Sequence, residues 1–204
     1  MPKVAILLSG GIDSIALTYW KRPDIAITIN YGQAPALTEI RTSETISKIL
    51  GIPHYVVEAD CSSLGSGDLI NQTPLGVSPS SEWWPYRNQL LITLACMKGI
   101  SLGINELMLA SVKSDSFHKD GTAQFYGLMS QLMVYQEQSI KVTCPAIELT
   151  SVELVQRSNI SASLLNWAHS CHKSNIPCGD CRGCNKYRQV IYELQQNGYE
   201  KSKA

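Results

Sequence analysis

Residues 4–14 read Val4-Ala5-Ile6-Leu7-Leu8-Ser9-Gly10-Gly11-Ile12-Asp13-Ser14, an apolar run that stops on a serine and two glycines. Val4 to Leu8 is short, continuous and partly β-branched, the pattern of a strand buried on both faces. Ser14 to Trp20 then reads as a helix that ends before Arg22-Pro23. A buried strand, a glycine turn and a helix open a parallel α/β sheet. The turn falls at the carboxyl edge of that sheet, where open α/β folds bind ligands. Gly10 and Gly11 let the backbone turn tightly and approach an anion. Successive N–H groups and the helix N-terminus supply a donor-rich cradle, to which Ser9 and Ser14 add hydroxyls. Asp13 is out of place beside phosphates unless it holds a magnesium ion that neutralises them. The stretch lacks the Gly-Lys-Ser/Thr ending of a Walker A loop. The plainer alternative is a strand-to-helix turn with a capping serine.

Outward from this loop the alternation continues. Ile25 to Ile29 is a second strand, Pro35 to Leu50 a helix closed by Gly51, and Tyr55 to Val57 a third strand. From Cys61 to Ser81 periodicity fails, and five Gly or Pro residues mark a long loop of a kind that is often functional. Asn88 to Leu102 is a helix, Leu107 to Ala110 a strand, Ser111 to Lys119 a polar loop and Gly121 to Gln138 a helix. Val142 to Cys144 is a last strand. Thr150 or Ser151 caps a helix from Val152 to about Arg157, and Ser161 to Trp167 and Cys184 to Gln196 are further helices. Lys201 to Ala204 reads as a frayed tail. Strand-helix alternation requires right-handed crossovers and helices on both sheet faces.

The chain has 204 residues, 44% of them hydrophobic, with 17 basic and 17 acidic side chains. That length and composition suit one domain, residues 1–204, whose helical C-terminal part spans residues 150–200. The neutral balance argues against a broad nucleic-acid or membrane footprint. With no apolar run of membrane-spanning length and no signal-peptide pattern, a cytoplasmic protein is expected.

Seven cysteines are present, and Cys171, Cys178, Cys181 and Cys184 fall within fourteen residues. In a cytoplasmic chain such a cluster reads as metal ligands before disulfides. Four thiolates close a tetrahedral zinc site with no open position, so the Zn2+ would be structural. An iron–sulfur cluster shares this spacing, and His169 and His172 flank Cys171 as alternative ligands. Gly179 and Gly183 suit the knuckle turns.

Ser9-Gly10-Gly11-Ile12-Asp13-Ser14 resembles the Ser-Gly-Gly-x-Asp-Ser signature of the PP-loop ATP pyrophosphatases. That resemblance implies a Rossmann-like sheet of the HUP, adenine nucleotide alpha hydrolase-like kind, and adenylation with release of pyrophosphate. With Tyr31-Gly32-Gln33 after strand two, Pro85-Tyr86-Arg87-Asn88 before a helix, Thr143-Cys144-Pro145 and the four cysteines, the whole chain resembles the QueC family of 7-cyano-7-deazaguanine synthases. The resemblance implies an ATP-dependent C–N ligase that adenylates 7-carboxy-7-deazaguanine, makes the amide with ammonia and dehydrates it to the nitrile with a second ATP. By the same resemblance, Leu8, Ser9, Gly10, Gly11, Ile12, Asp13 and Ser14 would bind ATP and Mg2+, with Tyr31, Gly32 and Gln33 contacting the nucleotide. Asp13, Ser14, Arg87, Asn88 and Asp120 would carry the chemistry, Arg87 by steadying negative charge. A homodimer is also implied.

Departures from the family pattern cluster on loops at the expected active-site edge. Tyr86 stands where glycine is common, Ala34-Pro35 follow Tyr-Gly-Gln in place of a basic residue, and His118-Lys119-Asp120-Gly121-Thr122 replace Tyr-Pro-Asp-Cys-Arg. These changes keep open a second acceptor, a peptide or protein N-terminal amine. Two other classes stay in view, a tRNA-modifying PP-loop enzyme and a non-catalytic nucleotide-binding module. Trp83 and Trp84 would stack on a deazapurine, line a partner groove or anchor the long loop. Met129 and Met133 would serve core or dimer packing.

Overall fold

The β-branched runs form five parallel strands in the computed structural model, which describes residues 2–199; the expected tail at Lys201 to Ala204 lies outside them. The strands are β1 (Val4–Leu7), β2 (Ile25–Asn30), β3 (His54–Glu58), β4 (Glu106–Met108) and β5 (Lys141–Thr143), in the spatial order β3-β2-β1-β4-β5. Ala5 pairs with Ile25 on one side and Leu107 on the other, so β1 is central. The chain winds outward through β2 and β3, then returns to start again at β4. The gap between the carboxyl ends of β1 and β4 is therefore the topological switch point, the usual ligand crevice of such sheets.

Among the described residues seven α-helices cover the sheet: α1 (Ile12–Lys21), α2 (Ala36–Leu50), α3 (Arg87–Leu102), α4 (Ala123–Tyr135), α5 (Ser151–Ser158), α6 (Ala162–Leu165) and α7 (Arg182–Gln196). Alternate strand residues point to opposite faces, and two cores result. Ile6, Ala26 and Met108 pack with α1, α5 and α7 on one face. Ala5, Ile27 and Leu107 pack with α3 and α4 on the other, where Met129 and Met133 are buried. The methionine pair is thus core, not exposed dimer surface.

Several boundaries differ from the sequence expectation for local reasons. Gly11 is extended (φ −75°, ψ 160°) and its carbonyl accepts from Ile15 N at 3.0 Å, so α1 begins two residues before Ser14. Thr150 caps α5 in a capping box, accepting from Glu153 N at 3.1 Å while Glu153 accepts from Thr150 N at 2.8 Å. The long loop is not featureless, since residues 62–64 and 67–70 form 3-10 turns. The helix expected to reach Gln138 ends at Tyr135, before Gln138 (φ 77°) and Ser139 (φ 48°) turn left-handed. The last helix starts at Arg182 because Cys181 Sγ caps it, accepting from Cys184 N at 3.4 Å.

Candidate active site

The glycine turn after β1 is shaped by close packing. Gly10 has φ 74°, and a Cβ there would stand 3.0 Å from Thr42 Cβ and 3.1 Å from the Glu39 carbonyl oxygen. Only glycine fits that conformation and that space. Ser14 donates to Gly11 O at 2.9 Å and Ser9 to Ser14 at 3.2 Å. Leu8 O accepts from Thr28 at 2.6 Å and Ser43 at 3.1 Å, which fixes the strand end. Leu8, Ser9, Gly11, Ile12, Asp13 and Ser14 line a cavity of ≈ 280 Å³ at the switch point, together with Tyr31, Glu39, Arg87 and Asn88.

The turn after β2 divides its labour. Tyr31 lines the cavity, with its ring edge-on to Trp84 at 4.9 Å. Gln33 is buried; it accepts from Tyr31 N at 2.9 Å and donates to Ile29 O at 3.1 Å and Glu39 at 2.8 Å. It braces the turn rather than lining the cavity. Gly32 has φ 93° and packs against Asp60 and Ser62 in the same bracing role. Burial pushes the Glu39 carboxyl up to about 7, against the opposing pull of Gln33 and Arg87.

Arg87 and Asn88 open α3. No carboxylate lies within ion-pair distance of the Arg87 guanidinium among the described residues. Its neighbours are Tyr31, Asp120, Tyr126 and Glu39, which hold the guanidinium firmly charged against its burial. Asn88 donates to Asp120 O at 2.8 Å and tethers the loop that follows β4. The Asp120 side chain lines a second cavity of ≈ 430 Å³. The two cavities share Arg87, Asn88, Ser111, Asp115, His172, Gly183 and Lys186, so they adjoin along a common wall.

Lys186 is a member of this wall that the motifs did not disclose. Its Nζ lies 2.8 Å from Asp13 Oδ2 and 3.2 Å from Asp115 Oδ1. Burial raises the Asp13 carboxyl, and the ammonium opposes that rise. Asp13 Oδ1 is buried, with Ser151 the donor that bears on the carboxylate and no hydrogen bond of ordinary length between them. Asp13 lines the cavity beside the glycine turn, and a carboxylate there is a hard oxygen donor that fits a hard cation such as Mg2+.

The second cavity is roofed by the long loop and the His118 loop. Arg182 Nη1 reaches Glu82 Oε1 at 2.6 Å, and His118 Nε2 lies 3.3 Å from the same oxygen. Burial works to raise Glu82, but its hydrogen bonds, Arg182 and His118 among the donors, hold it down at about 2. Trp83 and Trp84 both line this cavity, and Trp84 is also buried in the core, so one ring anchors the loop and its half-buried neighbour faces the cavity. His172 lines both cavities, and burial lowers its imidazole to about 4, leaving it neutral.

The four cysteines converge. Their sulfurs all lie within 4.8 Å of one another, with Cys178 to Cys184 at 3.9 Å and Cys171 to Cys181 at 4.0 Å. A tetrahedral zinc with Zn–S near 2.3 Å sets sulfurs about 3.8 Å apart, so the set fits. Neither flanking histidine belongs to it: His169 instead pairs with Ser174 O at 2.9 Å. Gly179 takes φ 82°, and at Gly183 a Cβ would collide with the Ser170 carbonyl. The cluster also touches the glycine turn, since His169 N donates to Gly10 O at 2.8 Å.

Against this geometry, the family model described as "Queuosine biosynthesis protein QueC" matches residues 3–195. The chain belongs to the QueC family. It is 27% identical to the 7-cyano-7-deazaguanine synthase of Methanosarcina barkeri, covering 89% of this chain and 90% of that protein. It is also 27% identical to 7-cyano-7-deazaguanine synthase 1 of Desulfitobacterium hafniense, covering 98% and 96%. Among solved structures, NMN synthetase from Francisella tularensis aligns with a TM-score of 0.49 at 13% identity, covering 95% of this chain and 77% of that one. The QueC-family match spans the PP-loop, both cavities and the cysteine cluster alike.

Proposed function

We propose that this chain is an ATP-dependent C–N ligase that adenylates the carboxylate of a 7-deazaguanine acid and transfers the acyl group to an amine. The carrying observation is the wall of seven residues that the PP-loop cavity shares with the larger second cavity. ATP would lie on residues 8–14, with the Asp13 carboxylate holding Mg2+, which neutralises phosphate charge when bound. Arg87, which has no carboxylate partner, stands at the junction, where it would bind the acid carboxylate or the α-phosphate. A carboxylate oxygen attacks the α-phosphorus, the bond to the bridging oxygen breaks and pyrophosphate leaves. The amine nitrogen then attacks the acyl carbon, AMP leaves and the nitrogen sheds its proton. No protein nucleophile is needed, because positioning and fixed charge carry both steps.

The names of the similar synthases favour ammonia as the amine, with the nitrile as the end product. A specific observation supports a second acceptor, a peptide or protein N-terminal amine. Tyr86, next in sequence to Arg87 of the second cavity, is 78% exposed, and Phe117, 59% exposed, lies under the Arg182 guanidinium at 4.5 Å, so exposed aromatic surface suited to a peptide stands beside this cavity. A homodimer would find its apolar face on α4, where Leu128, Leu132 and Tyr135 are exposed. No described helix is long and apolar enough to cross a membrane.

The test is mass spectrometry of purified protein with magnesium ATP, 7-carboxy-7-deazaguanine and either ammonia or N-terminal peptides. AMP together with a nitrile or amide supports the ammonia route. A peptide heavier by the deazaguanine acyl group supports the second acceptor. Absence of AMP in every mixture sinks the ligase reading.

A further inference from the structure

Lys186 lies one helical turn beyond Arg182 on α7, and residues four apart share a helix face. Both side chains leave the zinc knuckle toward the active site, Arg182 to Glu82 in the long loop and Lys186 to Asp13 in the PP-loop. Lys186 alone among the described basic residues pairs with a PP-loop carboxylate. It holds Asp13 by one oxygen, Oδ2, while Oδ1 is buried on the side of Ser151. Asp115, from the loop after β4, anchors the same ammonium at 3.2 Å, so the lysine is held from two sides. It also lines both cavities.

We propose that Lys186 is a positioning residue of the nucleotide centre: held between Asp13 and Asp115, it fixes the orientation in which the Asp13 carboxylate meets the cation that accompanies the phosphates. Partners that orient a metal-binding side chain typically cost about 10- to 100-fold in metal affinity or activity when removed. The inference rests on the ligase reading for its catalytic consequence but not for its binding consequence.

The experiment compares K186M and K186R with the wild type. Zinc content and melting temperature are measured first, since α7 begins in the cysteine cluster. Mn2+ affinity in the presence of a non-hydrolysable ATP analogue is then read by electron paramagnetic resonance, and AMP release by steady-state kinetics. K186M is expected to keep its zinc, to bind Mn2+ with the analogue roughly tenfold or more weakly, and to lose kcat by a comparable factor. K186R, which keeps the charge and the reach, is expected to recover most of the Mn2+ affinity. Should K186M not fold, K186Q carries the same measurements. Wild-type Mn2+ affinity in the neutral variant overturns the proposal. Weakened Mn2+ binding in K186M beside a wild type that makes no AMP with any acid leaves the proposal standing and removes the ligase reading.

Discussion

Glu39 illustrates a residue whose role comes from where the fold places its carboxyl, not from a motif. It sits on α2, pairs with Gln33 at 2.8 Å and faces the nucleotide cavity, where burial lifts its pKa from 4.5 to about 7. The folded protein therefore holds this proton more tightly than the unfolded chain. Stability falls as pH rises from about 4.5 to about 7 and levels off above that. Over the same range an uncharged carboxyl becomes an anion facing the cavity proposed for the triphosphate. Glu39→Gln is expected to flatten both trends between pH 5 and 8, in melting temperature and in ATP-analogue affinity by calorimetry. An unchanged pH profile in the variant would show that Glu39 does not titrate in this range. The residues of the PP-loop were legible because their spacing is local: strand, two glycines, aspartate and helix lie within eleven residues. Lys186 and Glu39 were not, because their meaning depends on neighbours distant in the chain.

At the scale of elements, α7 and the segment before it join the cysteine cluster to the nucleotide loop. Cys171 follows directly on Ser170, whose hydroxyl lies 3.5 Å from Ile12 N, and on His169, whose N–H donates to Gly10 O. Cys181 caps the helix that delivers Arg182 and Lys186. A structural zinc at the cysteines would therefore fix the active site as well as the fold. Removing it with a strong chelator, or substituting Cys181→Ser, is expected to lower the melting temperature and to weaken nucleotide-analogue binding together. Calorimetry and thermal denaturation on the same sample decide this. Nucleotide affinity that survives zinc loss would make the cluster a staple for α7 alone. The four-cysteine spacing made the cluster legible as a candidate metal site, whereas the contact of the preceding His169 with Gly10 required the sheet to bring residues 169–172 against the first loop. The helix ends were less legible than the helices, since Cys181 capping and the left-handed turn at Gln138 and Ser139 are set by tertiary context.

In the whole molecule, doubly wound topology separates two cavities that meet at one wall, and this division gives the proposed reaction its order. Glu39 and the PP-loop belong to the smaller cavity only, whereas Trp83, His118 and Arg182 belong to the larger only. Parallel alternation made the sheet and the position of the first cavity readable in advance. The second cavity was hidden because it is built from the aperiodic long loop, the His118 loop and α7, which no local pattern links. Its roof is the Glu82–Arg182 ion pair, which spans one hundred residues of sequence. If the acid's planar ring occupies this cavity, the half-buried Trp83 ring is the surface available to stack on it. Aromatic stacking on a base contributes about 1–3 kcal/mol, so Trp83→Ala should raise the KM for the acid by roughly tenfold or more while the KM for ATP moves little. Trp84→Ala should differ: that ring is 3% exposed and packs against Tyr31 at 4.9 Å, so its loss should lower the melting temperature and disturb both substrates. Steady-state kinetics with each substrate varied in turn separates the cases. A Trp83→Ala enzyme that loses ATP affinity and keeps its affinity for the acid would move the acid out of the second cavity and leave that space to the amine.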